Sequence, residues 1–183
     1  DALPISVKEG SVVFPNEPIV TVKAPVIEAQ LIETMLLLTI NHQSLIATKA
    51  NRIVRAAKDR TVLEFGARRA QGYDAAILGA RAAYIGGVHG SATALSDIEF
   101  NVPASGTMAH SFIQLYNDEY EAFSAYAKHN PDNTTLLVDT YNVLESGIPN
   151  AIRVTKEFLE PMGKRLKGVR LDSGDLTYLS KKS

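Results

Sequence analysis

The stretch Pro103-Ala-Ser-Gly-Thr-Met-Ala-His-Ser111 lies between a polar segment, Asp97–Glu99, and a predicted amphipathic helix, Phe112–Lys128. A turn of small residues that leads into a helix leaves backbone N–H groups unpaired, and such groups suit an anion. His110 stands at this turn, where an imidazole donates a hydrogen bond, takes a proton or attacks a phosphorus atom. A packed histidine beside an ordinary helix start fits the same residues, so this stretch alone leaves both interpretations open. The predicted helix carries residues at helical spacing on one face, namely Phe112, Tyr116, Tyr120, Phe123 and Ala127.

The composition excludes several classes of protein. Of the 183 residues, 45% are apolar and 21% are charged, which is the balance of a soluble globular protein. The net charge of −1 predicts no general attraction to nucleic acid or to an anionic membrane. Cysteine is absent, which excludes disulfides and thiolate zinc sites and fits a reducing compartment, so we expect a cytoplasmic protein. No run is apolar enough to span a bilayer, no signal peptide is visible, and no resident metal site is predicted.

Residues 1–58 predict a small β and helical N-terminal domain. From Val26 to about Lys58, apolar residues occur on nearly all faces of a helical pattern, with a predicted break at Asn41–Gln43. A helix that is apolar on most faces lies in a core or an interface, so we expect this segment to be buried. His42 is interpreted as structural, because no second ligand stands at helical spacing. The short strands predicted before the helix are Ile5–Val7, Val12–Phe14 and Ile19–Val22.

Residues 59–183 follow a different pattern, in which a strand, a polar turn and a helix repeat. Strands that alternate with helices predict a parallel sheet, either doubly wound or closed into a barrel. We expect this part to be the first portion of a catalytic α/β domain. The predicted strands are Thr61–Phe65, a short one within Ile85–Gly90, Thr134–Val138 and Gly168–Leu171, and the predicted helices include Asp74–Tyr84 and Ile148–Leu159.

Polar residues gather at the carboxyl ends of these strands. In a barrel those ends share one rim, and in an open sheet they line one crevice, so we expect the segments to converge on one pocket. Turns are polar in any protein, and that explanation covers Asp139-Thr140 well. It covers the adjacent pair Arg68 and Arg69 poorly, and it also covers Asp172-Ser-Gly-Asp175 poorly. The residues concerned are Arg68, Arg69, His89, Thr107, His110, Asp139, Arg170, Asp172 and Asp175.

The residue types in this predicted pocket indicate a phosphorylated substrate that contains a sugar. Arginines bind phosphate or carboxylate with two parallel hydrogen bonds. The Asp172 and Asp175 carboxylates suit ribose hydroxyls, a hydrated Mg²⁺ or a developing cation. Phe65 at a strand end stacks on a flat ring or packs in the core, and the sequence leaves these two roles open.

Several ordered motifs make the chain similar to nicotinate phosphoribosyltransferases, and the similarity extends over nearly the whole chain. The motifs are Glu64-Phe-Gly-Ala-Arg-Arg-Ala-Gln-Gly72, Arg81-Ala-Ala-Tyr-Ile-Gly-Gly87, Gly106-Thr-Met-Ala-His110 and Arg170-Leu-Asp-Ser-Gly-Asp-Leu176, with weaker matches at Val13–Pro18 and Ala47–Ala50. The resemblance implies a partial, irregular (β/α) barrel of the type II phosphoribosyltransferase kind. It also implies a homodimer that makes nicotinate mononucleotide and pyrophosphate from nicotinate and phosphoribosyl pyrophosphate. ATP hydrolysis would be coupled to this reaction through a phosphohistidine, and Mg²⁺ would accompany the phosphates.

The same resemblance assigns roles to individual residues. His110 would be the histidine that ATP phosphorylates, and Thr107 and Arg170 would contact nicotinate, with Arg170 pairing its carboxylate. Phe65 would stack on the pyridine ring, and Arg68 would lie against substrate or phosphate groups. Asp172 would face the ribose and the pyridine nitrogen, together with Asp175. Ser173 and Asp139 complete the predicted substrate site.

The sequence departs from the family's pattern at His89. Many relatives carry an acidic residue where His89 stands, so His89 is expected to be non-catalytic. The family's glycine-rich phosphate loop is expected after Ser183 and an N-terminal tyrosine before Asp1, so the chain is expected to be a fragment.

A nicotinamide phosphoribosyltransferase is the first alternative function, whereas a quinolinate phosphoribosyltransferase fits less well because its reaction uses no ATP. The second alternative is an inactive oligomerisation piece with residues 26–58 as its interface.

Overall fold

The computed structural model describes residues 3–183, and these residues form two compact units. The first unit ends at Gly106, and the second comprises Thr107–Ser183. Each unit is described by itself below. Among the described residues, no helix combines the length and the apolarity that crossing a membrane requires.

The first unit begins with an antiparallel strand pair. β1 (Leu3–Ser6) pairs with β2 (Val20–Lys23), with Ile5 opposite Thr21. The strand predicted at Val12–Phe14 does not form, so that prediction is wrong. The Phe14 N–H donates to the Glu17 carboxylate at 2.8 Å, and a turn therefore occupies the place of the predicted strand.

A single helix, α1 (Val26–Ala57), replaces the two helices predicted for this segment. The helix runs without a break through Asn41–Gln43, so the predicted break is wrong. The Gln43 side-chain oxygen accepts from Arg81 Nη1 at 3.3 Å, across the contact with the next helix. The predicted burial of α1 is also wrong within this unit, since only Ala50 is fully buried and Leu31, Met35 and Leu38 are 70–77% exposed.

A β/α pattern with parallel pairing occupies the rest of the first unit. β3 (Leu63–Glu64) is followed by a 3₁₀ turn, Ala67–Arg69, and by α2 (Tyr73–Ile85). β4 (Gly90–Ser91) pairs in parallel with β3, placing Glu64 opposite Ser91, and α3 (Ala94–Phe100) follows.

Helices α1 and α2 make close contact at Gly86, the residue that ends α2. A Cβ atom at Gly86 would lie 2.5 Å from the Ala47 carbonyl oxygen and 2.9 Å from the Ala50 Cβ. Only glycine therefore permits this approach. A small apolar cluster of Ala50, Ala83 and Val88 fills the contact.

The second unit repeats the alternation of strands and helices. β5 (Thr135–Leu137) pairs in parallel with β6 (Gly168–Arg170), with Thr135 opposite Gly168. Helices surround this pair, and Phe123, Leu136, Leu137, Val154 and Leu159 are fully buried in the core between them. The helical elements are α4 (His110–Ile113), α5 (Glu119–His129), a π-helical turn at Val143–Gly147, α6 (Ile148–Val154), a second π-helical turn at Thr155–Leu159, a 3₁₀ turn at Glu160–Met162 and α7 (Leu176–Lys182).

The helix predicted over Phe112–Lys128 is divided in the structure. α4 has only four residues, and α5 starts anew after Asp118. The Asp118 carboxylate accepts from the Glu121 N–H at 2.8 Å, which is the contact of a helix N-cap. The apolar residues keep their helical spacing across this junction, whereas the helical conformation of the backbone is interrupted there. The long helix was therefore a wrong prediction.

The described chain is a mixed α/β structure, as the sequence predicts. The parallel pairing expected from alternating strands and helices is confirmed at β3–β4 and at β5–β6. Within residues 3–183 the strands form three two-stranded sheets, and none of these closes into a barrel.

Candidate functional site

Most of the predicted site residues form one connected network in the second unit. Arg170 ends β6, and its Nη1 donates to Thr107 Oγ1 at 2.8 Å. Its Nη2 donates to Asp172 Oδ1, also at 2.8 Å. The guanidinium thus joins the segment before α4 to the loop that follows β6.

His110 meets the same loop through its imidazole. Nε2 lies 3.4 Å from Asp172 Oδ2, and Nδ1 lies 3.1 Å from Thr140 Oγ1. The His110 side chain is 41% exposed, so a ligand in solvent can reach it. Asp172 therefore contacts both the imidazole and the Arg170 guanidinium, with one oxygen for each.

Asp139 holds the loop that follows β6 through two hydrogen bonds. Its side chain is only 2% exposed, and its Oδ2 accepts from the Asp172 N–H and from Ser173 Oγ, both at 2.8 Å. Its Oδ1 is buried, has no hydrogen-bond partner among residues 3–183, and lies 4.0 Å from His110 Nε2.

The electrostatics of the network keep Asp172 ionised. The hydrogen bond from Arg170 lowers the pKa of Asp172, and the charges of Arg170 and His110 act in the same direction against a smaller opposing effect of burial. Asp172 is therefore a carboxylate at neutral pH. It can stabilise a positive charge that develops on a ligand or on the imidazole.

Asp175 has a different role in the structure. It precedes α7, and its side chain accepts from the Tyr178 N–H at 2.9 Å. This contact is a helix N-cap. The structure accordingly places Asp175 outside the hydrogen-bonded network around His110.

Phe65 and Arg68 belong to the first unit. Phe65 directly follows β3 and is half-buried, and Arg68 is exposed within the 3₁₀ turn. His89 is exposed too, and its Nδ1 accepts from the Val62 N–H at 3.2 Å. That contact fixes the chain next to β3 and gives His89 a structural role.

The anion site expected at the helix start beside His110 stays a prediction. The helix that begins there, α4, spans only His110–Ile113. A helix of one turn sums few peptide dipoles. In residues 3–183, no group of three or more histidine or acidic side chains is arranged to hold a metal ion.

Comparison with known proteins decides the family. Residues 61–182 match the family model described as the nicotinate phosphoribosyltransferase (NAPRTase) family. This chain belongs to that family. The resemblance inferred from the ordered motifs is thereby confirmed.

Several members of the nicotinate phosphoribosyltransferase family resemble this chain over nearly all of its length. Nicotinate phosphoribosyltransferase of Bacillus subtilis (strain 168) is 56% identical over 97% of this chain and 36% of its own length. Nicotinate phosphoribosyltransferase pncB2 of Mycobacterium tuberculosis is 49% identical over 94% of this chain and 36% of its own. The chain therefore spans little more than a third of these relatives.

Solved structures of similar proteins show the same fold. The crystal structure of human nicotinic acid phosphoribosyltransferase matches with a TM-score of 0.90 at 32% identity, over 99% of this chain and 45% of that one. The crystal structure of nicotinate-nucleotide pyrophosphorylase from Pyrococcus furiosus matches with a TM-score of 0.84 at 28% identity, over 99% of this chain and 46% of that one.

Sequence reasoning missed three polar residues that the structure brings into contact with predicted site residues or their neighbours. Thr140 binds the His110 imidazole, and its position just after a buried strand could have indicated it. Glu64 and Ser91 bind each other at the ends of β3 and β4. The motif containing Glu64 was recognised, but a single carboxylate gives no sign of its partner across the sheet.

Proposed function

We propose that the polypeptide carrying this chain is a nicotinate phosphoribosyltransferase. The pyridine nitrogen of nicotinate attacks C1′ of phosphoribosyl pyrophosphate, the bond from C1′ to the pyrophosphate oxygen breaks, and nicotinate mononucleotide and pyrophosphate leave. The observation that carries the proposal is the network in which Asp172 contacts both Arg170 and His110.

In this proposal, individual residues are assigned to separate parts of the substrates. Arg170 pairs the nicotinate carboxylate, because the guanidinium fork matches a carboxylate, and Thr107 holds the arginine in place. Phe65 stacks on the pyridine ring, and Arg68 binds phosphate groups. Asp172, which is ionised and 41% exposed, stabilises the cationic ribose that forms as pyrophosphate leaves.

ATP enters the proposed reaction through His110. When Nδ1–H donates to Thr140 Oγ1, Nε2 keeps the lone pair that attacks the γ-phosphorus of ATP, and ADP leaves. The imidazole becomes positively charged as the bond forms. The carboxylates of Asp172 and Asp139, 3.4 and 4.0 Å from Nε2, stabilise that charge.

Mg²⁺ is proposed as the companion of the phosphates. Magnesium sites commonly use one or two carboxylates together with substrate phosphates and water, and the exposed carboxylate of Asp172 fits such a set. The ion would supply charge neutralisation for the departing pyrophosphate.

The larger assembly belongs to the same proposal. We propose that the parallel pairs β3–β4 and β5–β6 are parts of an irregular (β/α) barrel of the type II phosphoribosyltransferase kind, and that the protein is a cytoplasmic homodimer. The parallel pairing and the match to the human structure support the barrel.

Phosphate transfer from ATP tests the proposal. Incubation of the complete natural polypeptide with γ-³²P-ATP is expected to give an acid-labile label on the protein, and His110→Asn is expected to abolish it. His129→Asn is the matched control, because His129 is exposed at the end of α5 in the same unit. Label that persists in His110→Asn contradicts the role of His110. Faster turnover of nicotinamide than of nicotinate contradicts the assigned substrate.

A further inference from the structure

We propose that Glu64 is a positioning residue for substrate binding, which fixes the loop bearing Phe65 and Arg68 by accepting hydrogen bonds from Gly66 and Ser91. The inference rests on the proposed function, since that function gives Phe65 and Arg68 their ligands. It assigns a role to a side chain that is not itself expected to touch substrate.

The two oxygens of the Glu64 carboxylate accept hydrogen bonds from different partners at the end of β3. Oε2 accepts from Ser91 Oγ at 2.6 Å, and Oε1 accepts from the backbone N–H of Gly66. Glu64 is the last residue of β3 and directly precedes Phe65. The residue expected to stack on the pyridine ring thus lies between the residue that carries the carboxylate and the backbone amide that the carboxylate holds.

Ser91 is a rigid partner for this carboxylate. It is fully buried, and its Oγ accepts from the Thr93 N–H at 2.9 Å while donating to Glu64. Its own N–H donates to the Pro103 carbonyl at 3.0 Å, and its carbonyl accepts from the Ser105 N–H at 2.9 Å. Because Ser91 is held by neighbouring segments on both sides, its hydroxyl gives Glu64 a fixed point.

The backbone of Gly66 lies very close to the carboxylate of Glu64. Gly66 has φ −89° and ψ −5°, a conformation that any residue adopts, so its backbone alone does not call for glycine. A Cβ atom there would lie 2.7 Å from Glu64 Oε1. A larger residue at position 66 would therefore displace the Glu64 carboxylate from this position, whereas glycine leaves room for it.

Arg69, a residue of the same loop, holds the backbone carbonyl of Phe65. Arg69 Nη2 donates to the Phe65 carbonyl at 3.3 Å, so the carbonyl of Phe65 and the amide of Gly66 are both engaged. The peptide that follows Phe65 therefore has little freedom to rotate. A binding loop fixed before the substrate arrives loses less entropy on binding, which raises affinity.

Steady-state kinetics of the complete natural polypeptide test this inference, with Glu64→Gln and Ser91→Ala as the variants. Each variant removes one acceptor or donor from the pair, so the loop that bears Phe65 and Arg68 loses one of its fixed contacts. We expect the KM for nicotinate to rise by about 5- to 30-fold in each variant, with a much smaller change in kcat. The double variant should resemble the single ones, because both remove the same contact.

Labelling of His110 by γ-³²P-ATP separates the inference from the proposed function. Both variants should keep the label, because neither Glu64 nor Ser91 belongs to the network around His110. Glu99→Gln on α3 is the matched control for the loss of an exposed carboxylate. If the unaltered protein forms no nicotinate mononucleotide, the proposed function fails. If it does and both variants keep the original KM for nicotinate, or if the affinity for nicotinate and the labelling of His110 are lost together, the positioning role of Glu64 is overturned.

Discussion

Asp172 contacts an arginine and a histidine with its two carboxylate oxygens, and this single residue organises the candidate site. One oxygen lies 2.8 Å from Arg170 Nη2 and the other 3.4 Å from His110 Nε2. A change at Arg170 should therefore act directly on the proposed nicotinate subsite and on the histidine through Asp172.

Replacement of Arg170 by alanine should weaken the binding of nicotinate selectively. A hydrogen bond to a charged group contributes about 1.5–3 kcal/mol, so the KM for nicotinate should rise by about tenfold or more. The KM for phosphoribosyl pyrophosphate should change much less, and initial-rate kinetics with each substrate varied in turn measure both constants.

Arg153→Ala is the control for that measurement. Arg153 is an exposed arginine of the same unit that pairs with Glu157 at 3.0 Å, and its loss should leave both constants unchanged. An equal loss of affinity for both substrates in Arg170→Ala would show that Arg170 supports the structure or contacts the ribose.

At the scale of elements, Arg81 joins three parts of the first unit. From α2 it donates to both carboxylate oxygens of Glu9 at 2.8 and 2.7 Å and to Gln43 of α1 at 3.3 Å. Its guanidinium also lies 5.4 Å from the centre of the Phe100 ring. Arg81, whose side chain is 25% exposed, therefore ties the segment after β1 to the helices of this unit.

Arg81→Ala should destabilise the first unit by about 1–2 kcal/mol, because it removes a bidentate ion pair together with the contact with Phe100. Urea unfolding followed by tyrosine fluorescence measures the loss. Arg52→Ala, an exposed change on α1, should alter the free energy of unfolding by less than about 0.5 kcal/mol. An equal effect of the two substitutions would contradict the role of Arg81.

The elements also show which features the sequence predicts well. The helix predicted at Asp74–Tyr84 is found as Tyr73–Ile85, and the parallel pairing follows from strands that alternate with helices. The long helix over Phe112–Lys128 failed because apolar spacing continues through a junction that a capping aspartate, Asp118, interrupts. The break at Asn41–Gln43 failed because polar residues are tolerated in a helix when a neighbouring element supplies partners.

The convergence of His110, Arg170 and Asp172 was predicted because parallel strands place their carboxyl ends at one edge. The geometry within that convergence was not predictable in the same way. No pattern in the sequence shows that Thr140 binds the imidazole or that Asp175 caps a helix. Such contacts depend on side-chain directions that a strand-and-helix pattern leaves undetermined.

At the scale of the whole molecule, Glu119 should make stability depend on pH. Glu119 is 2% exposed and accepts from Ser146 Oγ with one carboxylate oxygen. Burial raises the pKa of Glu119 more than the hydrogen bonds from Ser146 and Asn150 lower it. The folded protein therefore holds this proton to a higher pH than the unfolded chain does, and the free energy of unfolding should fall as pH rises between the two pKa values.

Glu119→Gln removes the titration, so this decrease should disappear, and stability at neutral pH should equal or exceed that of the unaltered protein. Urea unfolding from pH 4 to pH 8 measures the profile, with the exposed Glu160→Gln of the same unit as control. A profile that Glu119→Gln leaves unchanged would show that Glu119 does not titrate in this range. Asp172 acts with the opposite sign, since its lowered pKa removes stability only as the pH falls below the ordinary value for an aspartate.

Helix α1 carries Ile27, Leu31, Met35, Leu38 and Leu45 along one side, each 62–77% exposed. Transfer of such side chains out of water is worth about 1.5–3 kcal/mol apiece, so a surface that enclosed all of them would contribute on the order of 10 kcal/mol. That quantity is comparable to the entire margin by which an ordinary domain stays folded, about 5–15 kcal/mol. Where the proposed homodimer covers this side of α1, the melting temperature of the helix should rise with protein concentration.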